Sequence, residues 1–298
     1  MANGALADRN RVPIASVAET GWSTTAPAAN AKVLPLRLTA RSVAAGTADA
    51  PVYYQGVFDA RYPVSYAGLF ATNFRQSNRL RLQLFADTGY TTCLFDTRDP
   101  VTGLDRRVMP ALYDWRQLRW GAPNLFRGDL PPEDWALYPT NVHVSVPLVR
   151  ARAFRWSLVG LGVDRATGAD VNYHEVGLAW VSDSTYFSTQ YSLGGSDIWT
   201  PTDEVSRTPG GGVFVEPGTG YRSVEIPRNR MTLAEGDSMF DLARRVNFSG
   251  PVVWLPDIDD ATAMFRYGFV GQQRQPLRRT RAASLEVSTT LQIDEITL

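Results

Sequence analysis

Apolar residues alternate with polar ones along much of this chain, with the period of two that marks half-buried β-strands. Leu80, Leu82 and Leu84 point one way while Arg79, Arg81 and Gln83 point the other. Val142, Val144 and Val146 repeat the pattern around His143 and Ser145. Phe154, Trp156 and Leu158 alternate with Arg155 and Ser157, and near the end Leu285, Val287, Leu291 and Ile293 fall in a strand-like segment rich in threonine and serine. The runs are short and punctuated by Gly, Pro, Asn and Asp, which predicts a mainly β chain of sandwich or barrel type.

One segment breaks the period. Thr232 and Glu235 have the spacing of a capping box, in which each side chain satisfies a backbone donor of the other residue. Met239, Phe240, Ala243 and Val246 then fall along one predicted helical face. Glu235 and Asp237 lie near the positive end of the dipole and Arg244 and Arg245 near the negative end. Asn247 and Gly250 are placed to close the helix, while Gly236 weakens it by about 1 kcal/mol relative to alanine.

Punctuation also suggests the domain plan. The stretch from Ser192 to Gly220 holds Gly194-Gly195, Pro201, Pro209 and Gly210-Gly211-Gly212, with few large apolar residues before Val213, and reads as a boundary. Residues 97–139 form a second irregular stretch, carrying Tyr113, Trp115, Trp120, Pro131-Pro132, Trp135 and Tyr138. Loops of that length are usually functional or interface elements. No internal repeat, heptad run or low-complexity tract is present.

With 298 residues the chain is long enough for two cores, at roughly 100–200 residues each. Acidic and basic residues balance to zero, unlike the basic footprint of a nucleic-acid binder. Lys32 is the only lysine; every other base is arginine, which suits bidentate ion pairs and stacking on aromatic rings, although codon bias explains the excess as well. Cys93 stands alone, so neither an intramolecular disulfide nor a cysteine metal cluster forms. Met1 to Asp8 lacks the basic and apolar regions of a secretory signal, and no stretch approaches the roughly 20 apolar residues of a membrane helix. The chain is expected to stay where it is made or to travel within an assembly.

Candidate chemistry is sparse. His143 and His174 sit inside strand patterns and make a Cys-His dyad with Cys93 only if folding gathers them; their spacings match no zinc motif. Pro256-Asp257-Ile258-Asp259-Asp260 is the densest acidic cluster, but it lacks the glycine and distal glutamate of an EF-hand loop, and a tight turn explains it with less machinery. The triple glycine precedes no lysine-bearing helix start and is not a phosphate loop. Asn247-Phe248-Ser249 fits a glycosylation sequon that has no meaning without secretion. A carboxylate pair for glycoside hydrolysis is not singled out by position. Trp156, Trp180 and Trp254 read as core, whereas Trp115, Trp120 and Trp135 are interface candidates. No enzyme activity and no cofactor are expected.

Two regions carry a family likeness. From about Trp22 to Phe187, Phe70-Ala71-Thr72-Asn73-Phe74 precedes Asn78-Arg79-Leu80-Arg81-Leu82-Gln83-Leu84, and Phe154-Arg155-Trp156-Ser157-Leu158 precedes Glu175-Val176-Gly177-Leu178-Ala179-Trp180. This resembles the discoidin-like, or galactose-binding-like, jelly roll found in tailed-bacteriophage proteins. From about Gly211 to Leu298, a strand (Tyr221 to Ile226), the capped helix, a strand (Pro251 to Leu255) ending in Pro256-Asp257, a strand containing Arg266-Tyr267-Gly268 and a terminal strand finishing near Glu295 follow one another. That order is similar to the small β-barrel or sandwich with one flanking helix shared by tail tube and distal tail proteins. The resemblance implies a jelly roll over 1–191, with an irregular insertion near 97–139, and a ring-forming domain over 192–298.

The function so implied is a structural subunit of a phage tail tip, in a distal tail or baseplate ring, connecting the tail tube to the host-recognition apparatus. Its partners would be copies of itself in a hexamer, the tail tube protein and baseplate hub proteins, and its place the virion, after synthesis in the host cytoplasm. Arg274, Arg278, Arg279 and Arg281 are candidates for pairing with acidic groups on a neighbour. The alternative is a carbohydrate-binding module that recognises host surface glycans through exposed aromatics. Net neutrality argues against strong DNA retention.

Overall fold

The computed structural model describes residues 4–110, 140–165, 167–186, 195–207, 211–216, 218, 220–281 and 286–297. Strands dominate and all their pairings are antiparallel. The chain divides into a larger unit, Arg9–Ser184 with Pro256–Gly268, and a smaller one, Met1–Asp8, Thr185–Leu255 and Phe269–Thr297. The alternation that announces strands is genuine, and neither eight-stranded sheet closes into a barrel.

Two long strands, Val52–Thr72 and Val142–Val159, form the axis of the larger unit. They pair from Val52 opposite Leu158 to Leu69 opposite Val142, with register shifts between Val57 and Tyr62 and between Val64 and Tyr66. Such irregularities bend a strand and increase its twist. Strand Arg79–Phe85 joins one end of this axis and strand Glu175–Ser182 the other. Leu80, Leu82, Leu84, Phe154, Trp156 and Leu158 from one wing share a single apolar cluster with Val142, Val144, Val146, Val176 and Val181 from the other. Burying each such side chain contributes about 1.5–3 kcal/mol, which favours the period of two, although His143, Ser157 and every residue of Glu175–Ser182 after Glu175 are buried as well.

In the smaller unit the sheet runs Thr185–Tyr186, Ala5–Ala7, Pro251–Leu255, Phe269–Gln273, Glu286–Glu295, Tyr221–Thr232, Ser196–Thr200, with Arg278–Arg281 also paired to Glu286–Glu295. The helix Leu233–Val246 packs on it, and its capping box forms with both reciprocal hydrogen bonds. Asn247 ends it at a φ of 50°, donating its N–H to the Ala243 carbonyl. The buried face differs from the one expected: Gly236, Met239, Leu242 and Val246 turn inward, while Phe240 and Ala243 stand at the edge of the contact. Gly236 lies within that contact: a Cβ there would overlap Val287 Cγ2, so the helix backbone rests directly against the strand.

This geometry reverses the usual helix argument. Gly236→Ala gains about 1 kcal/mol of helix propensity but overpacks the contact with Val287, at a cost of about 1–3 kcal/mol. The expected net result is destabilisation, read as a lower urea midpoint.

A second, shorter helix, Ala261–Tyr267, belongs to the larger unit and corrects the expectation of a strand through Arg266-Tyr267-Gly268. Asp260 caps it by accepting hydrogen bonds from the Thr262 and Ala263 N–H groups, and the following strand starts only at Phe269. Met264 and Phe265 are its buried residues. The helix is too short for a periodic signal to outweigh the strand-like run Phe265–Val270.

Candidate functional site

The acidic cluster is accounted for by turn chemistry. Asp257 accepts from the Asp259 N–H and Asp260 caps the short helix; among the described residues no group of three or more His, Cys, Asp or Glu is arranged to hold a metal. His143 Nδ1 lies 2.8 Å from the Tyr66 hydroxyl, between Tyr66 and Phe70. His174 is fully buried; its Nε2 accepts from the Gly46 N–H at 3.4 Å and its ring meets Phe74 edge-on. Burial pulls the His174 imidazole down to about 4, so it is neutral and structural. Cys93 is exposed, with its Sγ on the Phe95 carbonyl; partial burial, and then Asp96, push its thiol up, away from the thiolate.

An outward face of the larger unit gathers aromatic and polar groups. Gln55, Arg155 and Gln83 lie in one cross-strand row, beside Tyr53, Ser157 and Arg81 in the next. Arg155 donates from Nε to Gln55 Oε1 at 2.7 Å, and its guanidinium lies over three rings: Tyr90 at 4.3 Å, Tyr53 at 5.1 Å and Phe85 at 5.6 Å. Tyr90 reaches this position from the loop 86–92, where its φ of 58° turns the chain and Asp87 accepts from the Gly89, Thr91 and Thr92 N–H groups. Those backbone bonds hold the Asp87 carboxyl down to about 2. Asp96 closes the row. Burial alone would raise its carboxyl, but Arg81, the Arg98 N–H and Gln83 hold it below the usual range. Tyr53 remains 41% exposed.

The smaller unit carries a different kind of surface. Strand Ser196–Thr200 pairs with Tyr221–Thr232 and exposes Ile198 and Trp199, the latter by 62%. Beyond it, Glu204–Arg207 and Val213–Glu216 pair as a two-stranded hairpin that, among the described residues, joins no other strand, and all eight residues of these two strands are exposed. The register sets Val205 opposite Val215 and Arg207 opposite Val213 on one face. Glu204 lies opposite Glu216 and Ser206 opposite Phe214 on the other. Gly and Pro surround these strands and each has only four residues, too few for a periodic pattern along the chain. The apolar triplet Val213-Phe214-Val215 was the available signal.

The four predicted interface arginines are brought to one edge of the same sheet, but not to one role. Arg279 is bound to Asp237 of the helix, and Arg274 lies 3.5 Å from Asp294. Arg278 and Arg281 are exposed on the strand Arg278–Arg281, with charges where an unprotected edge would otherwise invite pairing. Trp156, Trp180 and Trp254 are buried as expected. Trp115, Trp120 and Trp135, with the rest of 111–139, lie outside the described residues.

Among the described residues no helix is long and apolar enough to cross a membrane. No protein-family model matches the chain, and no curated protein matches it.

Proposed function

We propose that this chain is a structural subunit of a phage tail tip, a ring-forming component of the distal tail or baseplate that joins the tail tube to the host-recognition apparatus. The observation that carries this reading is the strand pair Glu204–Arg207 and Val213–Glu216. An isolated two-stranded hairpin is marginal in water, and this one leaves Val205, Val213, Phe214 and Val215 at least half exposed. Val205, Val213 and Val215 share one face and Phe214 stands on the other, and exposed apolar surface of that kind suits a site for another protein. The resemblance of residues 211–298 to tail ring domains supplies the type of assembly. In that assembly the tail tube and baseplate hub proteins are the neighbours and the virion is the location.

Light scattering on the purified chain, followed by negative-stain imaging, tests the proposal. Closed rings, hexamers by the family likeness, are the expected result. A species that stays monomeric up to the highest soluble concentration overturns it.

A carbohydrate-binding role for the larger unit is the second reading, favoured by the outward face around Arg155. Aromatic rings beside amides and a fixed guanidinium are suited to stacking on a sugar and bonding its hydroxyls. The expected result is glycan-array binding that Tyr53→Ala or Arg155→Lys abolishes. Binding to no glycan removes this reading and leaves the ring untouched.

A further inference from the structure

A groove of about 240 Å³ opens beside the helix Leu233–Val246, lined chiefly by Phe240, Ala243, Arg244, Phe248, Pro276 and Leu277. Phe240 and Ala243 stand at the edge of the helix–sheet contact, each partly exposed. Phe248 is half exposed, and Arg244 covers Phe240 at 5.0 Å. Both described strands of the hairpin are exposed in the same chain, so they do not fill the groove in cis.

The two surfaces match in charge as well as polarity. Phe214 shares its face of the hairpin with Glu204 and Glu216, two carboxylates set directly opposite each other. Such a like-charge pair destabilises an isolated hairpin and is relieved by a cation brought from outside. At the groove, Arg244 is 73% exposed and paired only loosely, at 3.9 Å, with Asp241. Arg274 and Arg278 bracket the lining segment Pro276–Leu277, and Arg274 reaches Asp294 at 3.5 Å. An aromatic knob with an acidic collar therefore faces an apolar slot with a basic rim.

We propose that the hairpin of one copy docks in the groove of the next, with Phe214 in the slot between Phe240, Phe248 and Leu277, and Glu204 and Glu216 against Arg244 and Arg278. The partner is a second copy of this chain. Because hairpin and groove are different patches, the contact is heterologous, and it repeats until rotation closes a ring. This rests on the ring reading above and names the contact that makes the ring.

The test is assembly of the full-length chain, followed by light scattering and native mass spectrometry. Phe214→Asp raises the concentration for half-assembly by about 100-fold, in line with loss of a central aromatic anchor. Unchanged thermal unfolding confirms that the exposed hairpin was altered without damage to the fold. Two charge-reversed chains decide the pairing: one carries Glu204→Arg with Glu216→Arg, the other Arg244→Glu with Arg278→Glu. Each alone stays dissociated. Mixed, they form even-numbered rings in which the two chains alternate. Rings formed by the Phe214→Asp chain at wild-type concentrations overturn the hairpin contact while leaving the ring reading intact. A mixture that does not assemble, although the wild type does, overturns the charge pairing. A wild type that never assembles overturns both proposals.

Discussion

Lowering the pH from about 6.5 to 4 removes about 3 kcal/mol of stability from the wild-type chain that a His174→Gln variant retains. The imidazole is completely buried at the start of strand Glu175–Ser182. Its Nε2 accepts the Gly46 N–H, which places the proton on Nδ1, and burial pulls its pKa from 6.5 to about 4. In the unfolded chain the same side chain titrates near its ordinary value. Between the two values the unfolded state binds a proton that the folded state refuses, so stability is complete above about 6.5 and falls as the pH drops towards 4. Below about 4 the folded state protonates too and this loss stops growing. Gln offers an acceptor to Gly46 and has no charge to gain. Urea unfolding of both chains at several pH values isolates the effect, since the carboxylates common to both cancel in the difference. A constant difference between the two chains from pH 7 to 4 removes the assignment.

Asn73→Ala is the second large effect, a loss of about 3 kcal/mol or more. Asn73 is 2% exposed, accepts the Glu175 N–H on Oδ1 at 2.7 Å and donates from Nδ2 to the Tyr173 carbonyl at 3.2 Å. A Cβ on Gly162 would overlap that amide, so the segment carrying Gly162 rests directly on it. Alanine leaves a buried donor and acceptor without these partners as well as a void, and each costs more than the hydrogen bonds contribute when made. Asn73→Asp separates the two roles. It keeps the acceptor for Glu175 but sets a carboxylate against the Tyr173 carbonyl, and it is expected to be no better than alanine. Denaturation followed by tryptophan fluorescence reads both variants, because Trp156 and Trp180 are wholly buried in the same unit. An Asn73→Ala chain as stable as the wild type shows that the amide does not clamp these segments.

Both residues were visible in the sequence, but their roles were not. Phe70-Ala71-Thr72-Asn73-Phe74 belongs to the run that resembles the galactose-binding-like jelly roll. What the asparagine does depends on segments about 100 residues away in sequence. His174 reads as a polar residue within a strand pattern, and only the Gly46 turn and Phe74 show that it is enclosed on all sides. The arginine cluster is a similar case. Four bases close in sequence invite a single interface role, yet Arg279 is bound to Asp237 of the helix while Arg278 and Arg281 stay exposed.

Several features follow from local physics alone. The period-two runs specify strands because each exchange of faces would bury an arginine and expose a leucine. The Thr232–Glu235 capping box specifies its helix start because both partners lie within one turn. The mainly β class follows from many such local decisions pointing the same way. Tertiary structure decided the rest. Which face of the helix turns inward was decided by packing on the sheet, where Gly236 rests against Val287, 51 residues later in the chain. Pairing brought strand Ala5–Ala7 into the sheet with Pro251–Leu255. The hairpin's exposure and the groove beside Phe240 depend on what packs around them, and no periodicity along a chain encodes the absence of a neighbour. The candidate interaction surfaces therefore emerge only when the fold is complete, since burial is a property of the whole molecule and alternation a property of the segment.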